Sequence, residues 1–271
     1  MATARLFFSW LSDNEIGYKS IKQAWIRTIK VKRLLDAPKV REAVSLEEIQ
    51  AIAAQDARTV FERRARAAAV FLFLSGMRIG AFVSLPIQAV DIPNKTVIQY
   101  PNLGVRTKNR KYGITYLLDI PELLKVVQEW DDEIRSILPA NGLWFAPLSS
   151  ETGKIDPSVV SIGEHRSTLA RRNIREWILS KGLAYHSPHK FRHGHIQYGL
   201  ANSETIADYK AVSMNVMHAS MEITDEFYSN LNDGEIRNRI HSLGKEKKLD
   251  DQDELKIFRE FLEWKRILRS G

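Results

Sequence analysis

Ten residues, HSPHKFRHGH (His186–His195), place four histidines, a lysine and an arginine around a Ser-Pro pair. Such residues bind anions, ligate metals or move protons near neutral pH. Ser187 before Pro188 predicts a helix start, with serine as the cap and proline in the first turn. That start sets His189 and Arg192 three apart on one face. A helix N-terminus presents unpaired N–H groups and the positive end of a dipole, so His and Arg there make a site for phosphate or sulfate. His189 and His193 are four apart, as zinc ligands on a helix are. However, Lys190, Phe191 and Arg192 lie between them, with no glutamate base. Cations beside a dication oppose its binding, so no metal is expected. A solvated basic loop is the plainer alternative. Phe191 faces away and is expected in the core.

Other residues could act on a bound phosphate. Arg78 follows a glycine turn in SGMRIG, and Lys108 lies in RTKNRK between two β-like segments. VMHASMEITDEFYSNL carries His218 and, ten residues on, Tyr228. Singly, each has an ordinary reading: a surface arginine, one hairpin cation among several, a tyrosine on an amphipathic helix.

Together, and in this order, they resemble the tyrosine recombinase (integrase) family. That family has an Arg in a Gly-x-Arg turn after a long helix, a Lys in a β-hairpin, a His-x-x-Arg-His motif, a later His, and a Tyr nine or ten residues beyond it. The matching residues are Arg78, Lys108, His189, Arg192, His193, His218 and Tyr228, within a resemblance spanning about residues 40 to 235. Two positions depart from the pattern. Ala81 stands where many members carry an acid, which leaves no orienter for Arg78 at that position. Val216-Met217-His218 replaces Leu-Gly-His, so a different backbone turn is expected there.

The resemblance implies metal-free DNA strand exchange, with no cofactor. Arg78 and Arg192 would neutralise charge on the non-bridging oxygens, because guanidinium forks match phosphate. His218 would add a donor, and His189 would be base or phosphate ligand. Lys108 would protonate the leaving 5′ oxygen. Tyr228 would attack phosphorus and form a 3′-phosphotyrosyl enzyme. A phenol with a pKa of about 10 needs the arginine field or a base to react. Related alternatives are a type IB topoisomerase and a DNA-binding module with an inactive site.

The elements that must position these groups are largely helical. Ser45 and Glu48 form a capping box before SLEEIQAIAAQ. Residues 56–75 read as a long helix carrying AAAVFLFL and stopped by Gly76. A break and a short helix follow, closed by Pro86. TVIQY and GITYLLD flank RTKNRKY and predict a small antiparallel sheet. Helices are expected at 121–137, 157–181, 188–201, 203–213 and 220–230. The fold class is therefore mainly α with a small antiparallel β-sheet, and the resemblance implies the tyrosine recombinase catalytic fold.

EHRSTLARRNIREWILSKGL is a basic helix with Arg171 and Arg175 at i,i+4, an offset repeated by Thr168 and Arg172. Ile174, Trp177 and Ile178 can pack inward. The resemblance implies that a helix hereabouts enters the major groove. Arg106, Arg110, Lys111 and Lys190 are the other expected DNA contacts, and binding should depend strongly on salt.

Three regions are expected: 1–36, 37–242 and 243–271. The first is a basic helical segment with a rough apolar stripe of Ile21, Trp25, Ile29 and Val31 or Leu34, then a linker broken by Pro38. It reads as the remnant of an arm domain, in a piece of a longer chain or a variant with a reduced arm. The second is catalytic. The third is a charged linker and a helix with Ile257, Phe261, Trp264 and Leu268 on one face. That face needs a partner, in cis or on a neighbouring protomer of a dimer or tetramer on DNA.

Composition narrows the classes. The chain has 271 residues, 44% of them hydrophobic and 27% charged, as in ordinary globular proteins. A net charge of +7 favours polyanionic partners. The absence of cysteine excludes disulfides, thiolate metal sites and cysteine nucleophiles. The longest apolar run is far shorter than the roughly 20 residues of a membrane span. No signal peptide is visible. The expected partner is double-stranded DNA at a specific site, in the cytoplasm of a prokaryote or in a viral or mobile-element setting.

Overall fold

The computed structural model describes residues 2–28, 42–159, 163–217 and 233–244. The chain divides into two compact units, Met1–Arg41 and Glu42–Gly271. In the first, α1 (Ala2–Asn14) and α2 (Gln23–Thr28) pack together. Phe8 meets Trp25 edge-on at 5.4 Å, and the Ser12 hydroxyl donates to the Ile21 carbonyl at 3.0 Å. The expected apolar stripe is out of phase, because Ile26 is the buried residue and Trp25 is 51% exposed. Ile29, Val31, Leu34 and Pro38 lie outside the described residues.

The second unit is built around one buried helix. The helix α3 (Leu46–Ala53) has the expected capping box: the Glu48 amide donates to Ser45 Oγ at 3.2 Å and the Ser45 amide to Glu48 Oε2 at 2.8 Å. The next helix, α4 (Val60–Ser75), starts four residues later than expected, because Thr59 and Glu62 form a second capping box. It ends at Gly76, in the left-handed conformation at φ 60°. Residues 67–74 of α4 are fully buried. A helix apolar all round belongs in the middle of a core. Four others surround it: α3, α6 (Pro121–Arg135), α7 (Arg166–Ser180) and α8 (Pro188–Ala201).

After the short α5 (Ile79–Phe82), strands β1 (Val90–Asp91), β2 (Thr96–Gln99) and β3 (Gly113–Tyr116) form an antiparallel sheet in that order. Its register pairs Thr96 with Tyr116 and Gln99 with Gly113. The Leu118 amide donates to the Leu74 carbonyl at 3.0 Å, so the chain leaving β3 is tied to the C-terminal turn of α4.

Several helix boundaries move, and one helix is new. The expected helix over 157–181 starts at Arg166, with 157 and 158 in a turn. Gly163 costs about 1 kcal/mol in a helix, and the Arg166 side chain is drawn inward onto the carbonyls of Val83 and Phe145. The helix expected over 203–213 is α9 (Ile206–Asn215), started by a Thr205–Asp208 capping box. α10 (Asp233–Leu243) was not expected; it packs on α9 and β3, with an Arg239–Asp208 ion pair at 2.5 Å. The expected helices at 220–230 and 254–269 lie outside the described residues.

Candidate active site

Three stretches of chain line one cleft, and a fourth is tied to two of them. The turn after α4 supplies Arg78, at the N-terminus of α5. The connection between β2 and β3 supplies Thr107, Lys108 and Lys111, and β2 supplies Gln99. The turn after α9 supplies Met217. The fourth stretch, α8, spans the predicted residues and carries Arg192.

Arg192 is 3% exposed and holds the site together from below. One guanidinium nitrogen donates to the Gly76 carbonyl and another to the Val216 carbonyl, each at 2.6 Å. The α4–α5 turn and the α9 turn are thus fastened to the same side chain. Burial, and then the nearby charge of Arg78, lower Arg192 to about 10, so it stays charged at neutral pH. Arg78 and Arg192 are near enough for their charges to interact, and such a pair favours a bound polyanion.

His189 is exposed one turn before Arg192, and its ring meets that of His193 edge-on at 4.3 Å. Ser187 occupies the cap position of α8 but makes no side-chain cap hydrogen bond. Its carbonyl instead accepts from the Lys190 amide at 2.8 Å, and Pro188 has no N–H to satisfy. Phe191 is fully buried, as expected.

Lys108 is exposed at the tip of its connection. Asn109 and Arg110 both take positive φ there, and the Thr107 hydroxyl closes the turn on the Lys111 carbonyl at 2.6 Å. The Arg106 amide donates to Ser84 Oγ at 2.8 Å, which ties the same connection to the end of α5. Ala81 lines the cleft beside Arg78, so a methyl stands where an acid was looked for.

Met217 takes a φ of 52°. The left-handed turn that glycine would supply is therefore present, contrary to the expectation of a different turn. Its thioether covers Gly113, where an added Cβ would meet Met217 Cε at 2.8 Å. His218 and Tyr228 lie outside the described residues.

The expected DNA contacts divide into groups. Thr168, Arg171, Arg172 and Arg175 are exposed along one face of α7, while Ala170, Ile174, Trp177 and Ile178 are buried on the other. Arg172 pairs with Glu176 at 3.7 Å, and Arg175 lies over the Tyr185 ring at 5.9 Å. Arg106, Arg110 and Lys111 are exposed near the cleft. Lys190 is paired with Glu42.

Sequence reasoning missed the polar network beneath the cleft. His195 is fully buried, with Nδ1 at 2.9 Å from the Phe73 carbonyl and Nε2 at 3.3 Å from Asn215 Nδ2. Asn215 also donates to the Tyr116 carbonyl at 3.0 Å and accepts from the Tyr116 amide at 2.7 Å. Thr115 Oγ1 donates to the Asn215 carbonyl at 2.9 Å and accepts from Gln99 Nε2 at 2.6 Å. The only signal in the sequence was a third histidine on α8, three residues after Arg192.

The profile of the phage integrase family matches residues 42–235. Among solved structures, the integrase of mycobacterium phage Brujita aligns with a TM-score of 0.52 at 17% identity, over 94% of this chain and 75% of that one. Lambda integrase, as a dimer bound to a COC′ core site, gives 0.48 at 18% identity, over 92% and 62%. XerA recombinase gives 0.45 at 19% identity, over 88% and 80%. No curated protein matches. With its profile match running from the start of the second unit past the cleft and Arg192, the chain belongs to the phage integrase family.

Proposed function

We propose that this chain is a site-specific DNA recombinase that cuts and rejoins strands through a 3′-phosphotyrosyl intermediate. Tyr228 Oη attacks phosphorus, and the bond to the 5′ oxygen breaks. Lys108 gives a proton to that oxygen as it leaves, and Arg78 and Arg192 hold the non-bridging oxygens. His189 and His218 complete the phosphate contacts, and His189 takes the phenol proton. A 5′ hydroxyl from a second strand then reverses the step. The energy of the broken bond is kept in the phosphotyrosine, so neither nucleotide nor metal is needed.

The observation that carries this reading is the double donation of Arg192 to Gly76 and Val216, which holds its charge near that of Arg78, a residue that lines one cleft with Lys108. Preorganised donors of this kind are worth on the order of a hundredfold or more in rate each. The exposed basic face of α7, with Arg106, Arg110 and Lys111, supplies the electrostatic hold on duplex DNA. Lys190 contributes less to that hold, because Glu42 already neutralises it.

The working form is an assembly of two to four copies on DNA, joined through the segment carrying Phe261 and Trp264, which the sequence predicts to be an amphipathic helix. A dimer on DNA is the form in which lambda integrase was solved. No helix among the described residues is long and apolar enough to cross a membrane. The proposed location is the cytoplasm of a host cell, where the target DNA lies. The proposed regions are an arm remnant over 1–36, a catalytic domain over 37–242 and a coupling tail over 243–271.

The test is a nicked duplex cut from the ends of the genetic element that encodes the chain. A covalent protein–DNA adduct on a denaturing gel, lost in Tyr228→Phe, is the expected result. No adduct on any such duplex would leave a DNA-binding module. Relaxation of supercoils without joined duplexes would mark a topoisomerase.

A further inference from the structure

One side chain, Asn215, joins the end of α9 to β3 and to α8. Its amide spans both backbone groups of Tyr116 on β3, the strand that follows Lys108. It meets His195 on α8, the helix that carries Arg192. Its own residue precedes Val216, whose carbonyl accepts from Arg192.

The orientation of the amide follows from its partners. The Phe73 carbonyl only accepts, so the proton of a neutral His195 sits on Nδ1. Nε2 is then an acceptor, and Asn215 must turn its NH2 toward it. That leaves Oδ1 for the Tyr116 amide, which only donates, and the second N–H for the Tyr116 carbonyl. Every polar atom of the amide is used, and only one orientation uses them all. Buried polar networks that are fully satisfied fix a single arrangement.

We propose that Asn215 and His195 are positioning residues for strand cleavage. The imidazole fixes the amide, the amide fixes the Asn215–Val216 backbone against β3, and the Val216 carbonyl fixes the guanidinium of Arg192. This rests on the reading of the cleft as a phosphodiester-cleaving site. Neither side chain lines the cleft, and the proposed route from them to phosphate runs through Arg192.

The test uses the full chain and the nicked duplex that gives the most adduct with it. Asn215→Asp keeps the size of the side chain but removes the donors to Nε2 and to the Tyr116 carbonyl. Thr115→Val is the milder companion, loosening the same backbone while sparing the contact with His195. Asn215→Asp should slow single-turnover adduct formation on the order of tenfold or more with DNA affinity nearly unchanged, and Thr115→Val should slow it less. A second duplex carries a methylphosphonate at the cut site. Methyl in place of a non-bridging oxygen removes the charge that Arg192 meets, so most of the deficit should vanish there. A merely structural defect would slow both duplexes alike.

Nitrogen NMR of labelled histidine should show His195 protonated on Nδ1 in the unaltered chain and on both nitrogens in Asn215→Asp. A proton on Nε2 in the unaltered chain would overturn the inference. So would variants that cut the ordinary duplex at the unaltered rate, or deficits equal on both duplexes. Absence of any adduct with the unaltered chain would instead overturn the function on which the inference rests, and the inference with it.

Discussion

The guanidinium of Arg192 donates to the carbonyl of Gly76 at 2.6 Å, two residues before Arg78. The bond couples the two arginines through a short stretch of backbone, so the place of one limits the place of the other. The companion bond to Val216 needs a second nitrogen at the right angle. A lysine ammonium is a point donor on a flexible stem and cannot span both carbonyls. Arg192→Lys keeps the charge and loses the fork. Adduct formation should fall on the order of a hundredfold or more. An affinity loss as large as the rate loss, measured on the same duplex, would reduce Arg192 to a DNA-holding residue.

Gly76 has no room for another side chain. Its φ is +60°, and an added Cβ would stand 2.6 Å from His195 Cδ2 and 2.8 Å from Val216 Cγ1. The left-handed backbone alone costs a non-glycine residue about 1–2 kcal/mol. The contacts add to this, because the His195 ring is buried and cannot swing into solvent. Gly76→Ala should lower the urea midpoint by more than the backbone cost. Gly80→Ala is the control: its Cβ would meet only the Arg106 carbonyl at 3.9 Å. There the unfolded chain loses freedom, so stability should hold or rise by up to about 1 kcal/mol.

Local chemistry made parts of this site readable in advance. Pro188 set the start of α8, Ser45 and Glu48 set that of α3, and Gly76 ended α4. These signals act within a few residues of chain. The network under the cleft acts across it. His195 is joined to Phe73, 122 positions away, and Asn215 to Tyr116, 99 away. No spacing rule reports such pairs, so His195 looked like one more cation in a basic run. The same limit applies to Arg166, whose buried guanidinium reaches the Phe145 carbonyl and delays the start of α7. Trp25 was placed on the apolar stripe of the first segment by its spacing from Ile21 and Ile29, but Ile26 is the residue that is buried.

Met217 shows how a turn outlasts the residue that usually makes it. At φ 52° an unbranched side chain is strained but tolerated, while a β-branched one is a severe outlier. Met217→Val should therefore unfold at lower denaturant than the unaltered chain. Met217→Gly relieves about 1 kcal/mol of backbone strain but uncovers Gly113, so its midpoint should lie near that of the unaltered chain. A Val variant as stable as the Gly variant would mean that the turn rearranges.

His195 gives the stability of the chain a pH dependence of definite sign. Burial pushes its imidazole down to about 4, with the Phe73 carbonyl opposing and the charge of Arg192 adding to the effect. The unfolded chain titrates this group near 6.5 and so binds more protons than the folded chain between the two values. Stability is fully present above about pH 6.5 and falls as pH drops toward 4, by on the order of 3 kcal/mol. Glutamine can donate and accept through one amide without titrating. In His195→Gln the slope of unfolding free energy against pH over this window should flatten, as read by urea melts at half-unit steps. An unchanged slope would place the acid sensitivity in the carboxylates.

The exposed face of α7 should behave as a phosphate-binding surface whose members are unequal. Each neutralised phosphate contributes about −0.9 to the slope of log affinity against log salt. Arg171 makes no ion pair among the described residues, and Arg175 lies over the Tyr185 ring at 5.9 Å, a contact that does not neutralise it. Arg172 shares its charge with Glu176 at 3.7 Å. Arg171→Ala and Arg175→Ala should each lower the magnitude of the salt slope by roughly one on any long duplex, whatever its sequence. Arg172→Ala should lower it less, and Arg172→Ala with Glu176→Ala should recover part of the loss, because the removed acid no longer repels the strand. If the three single variants shift the slope equally, the Glu176 pair breaks on binding and the face is electrostatically uniform.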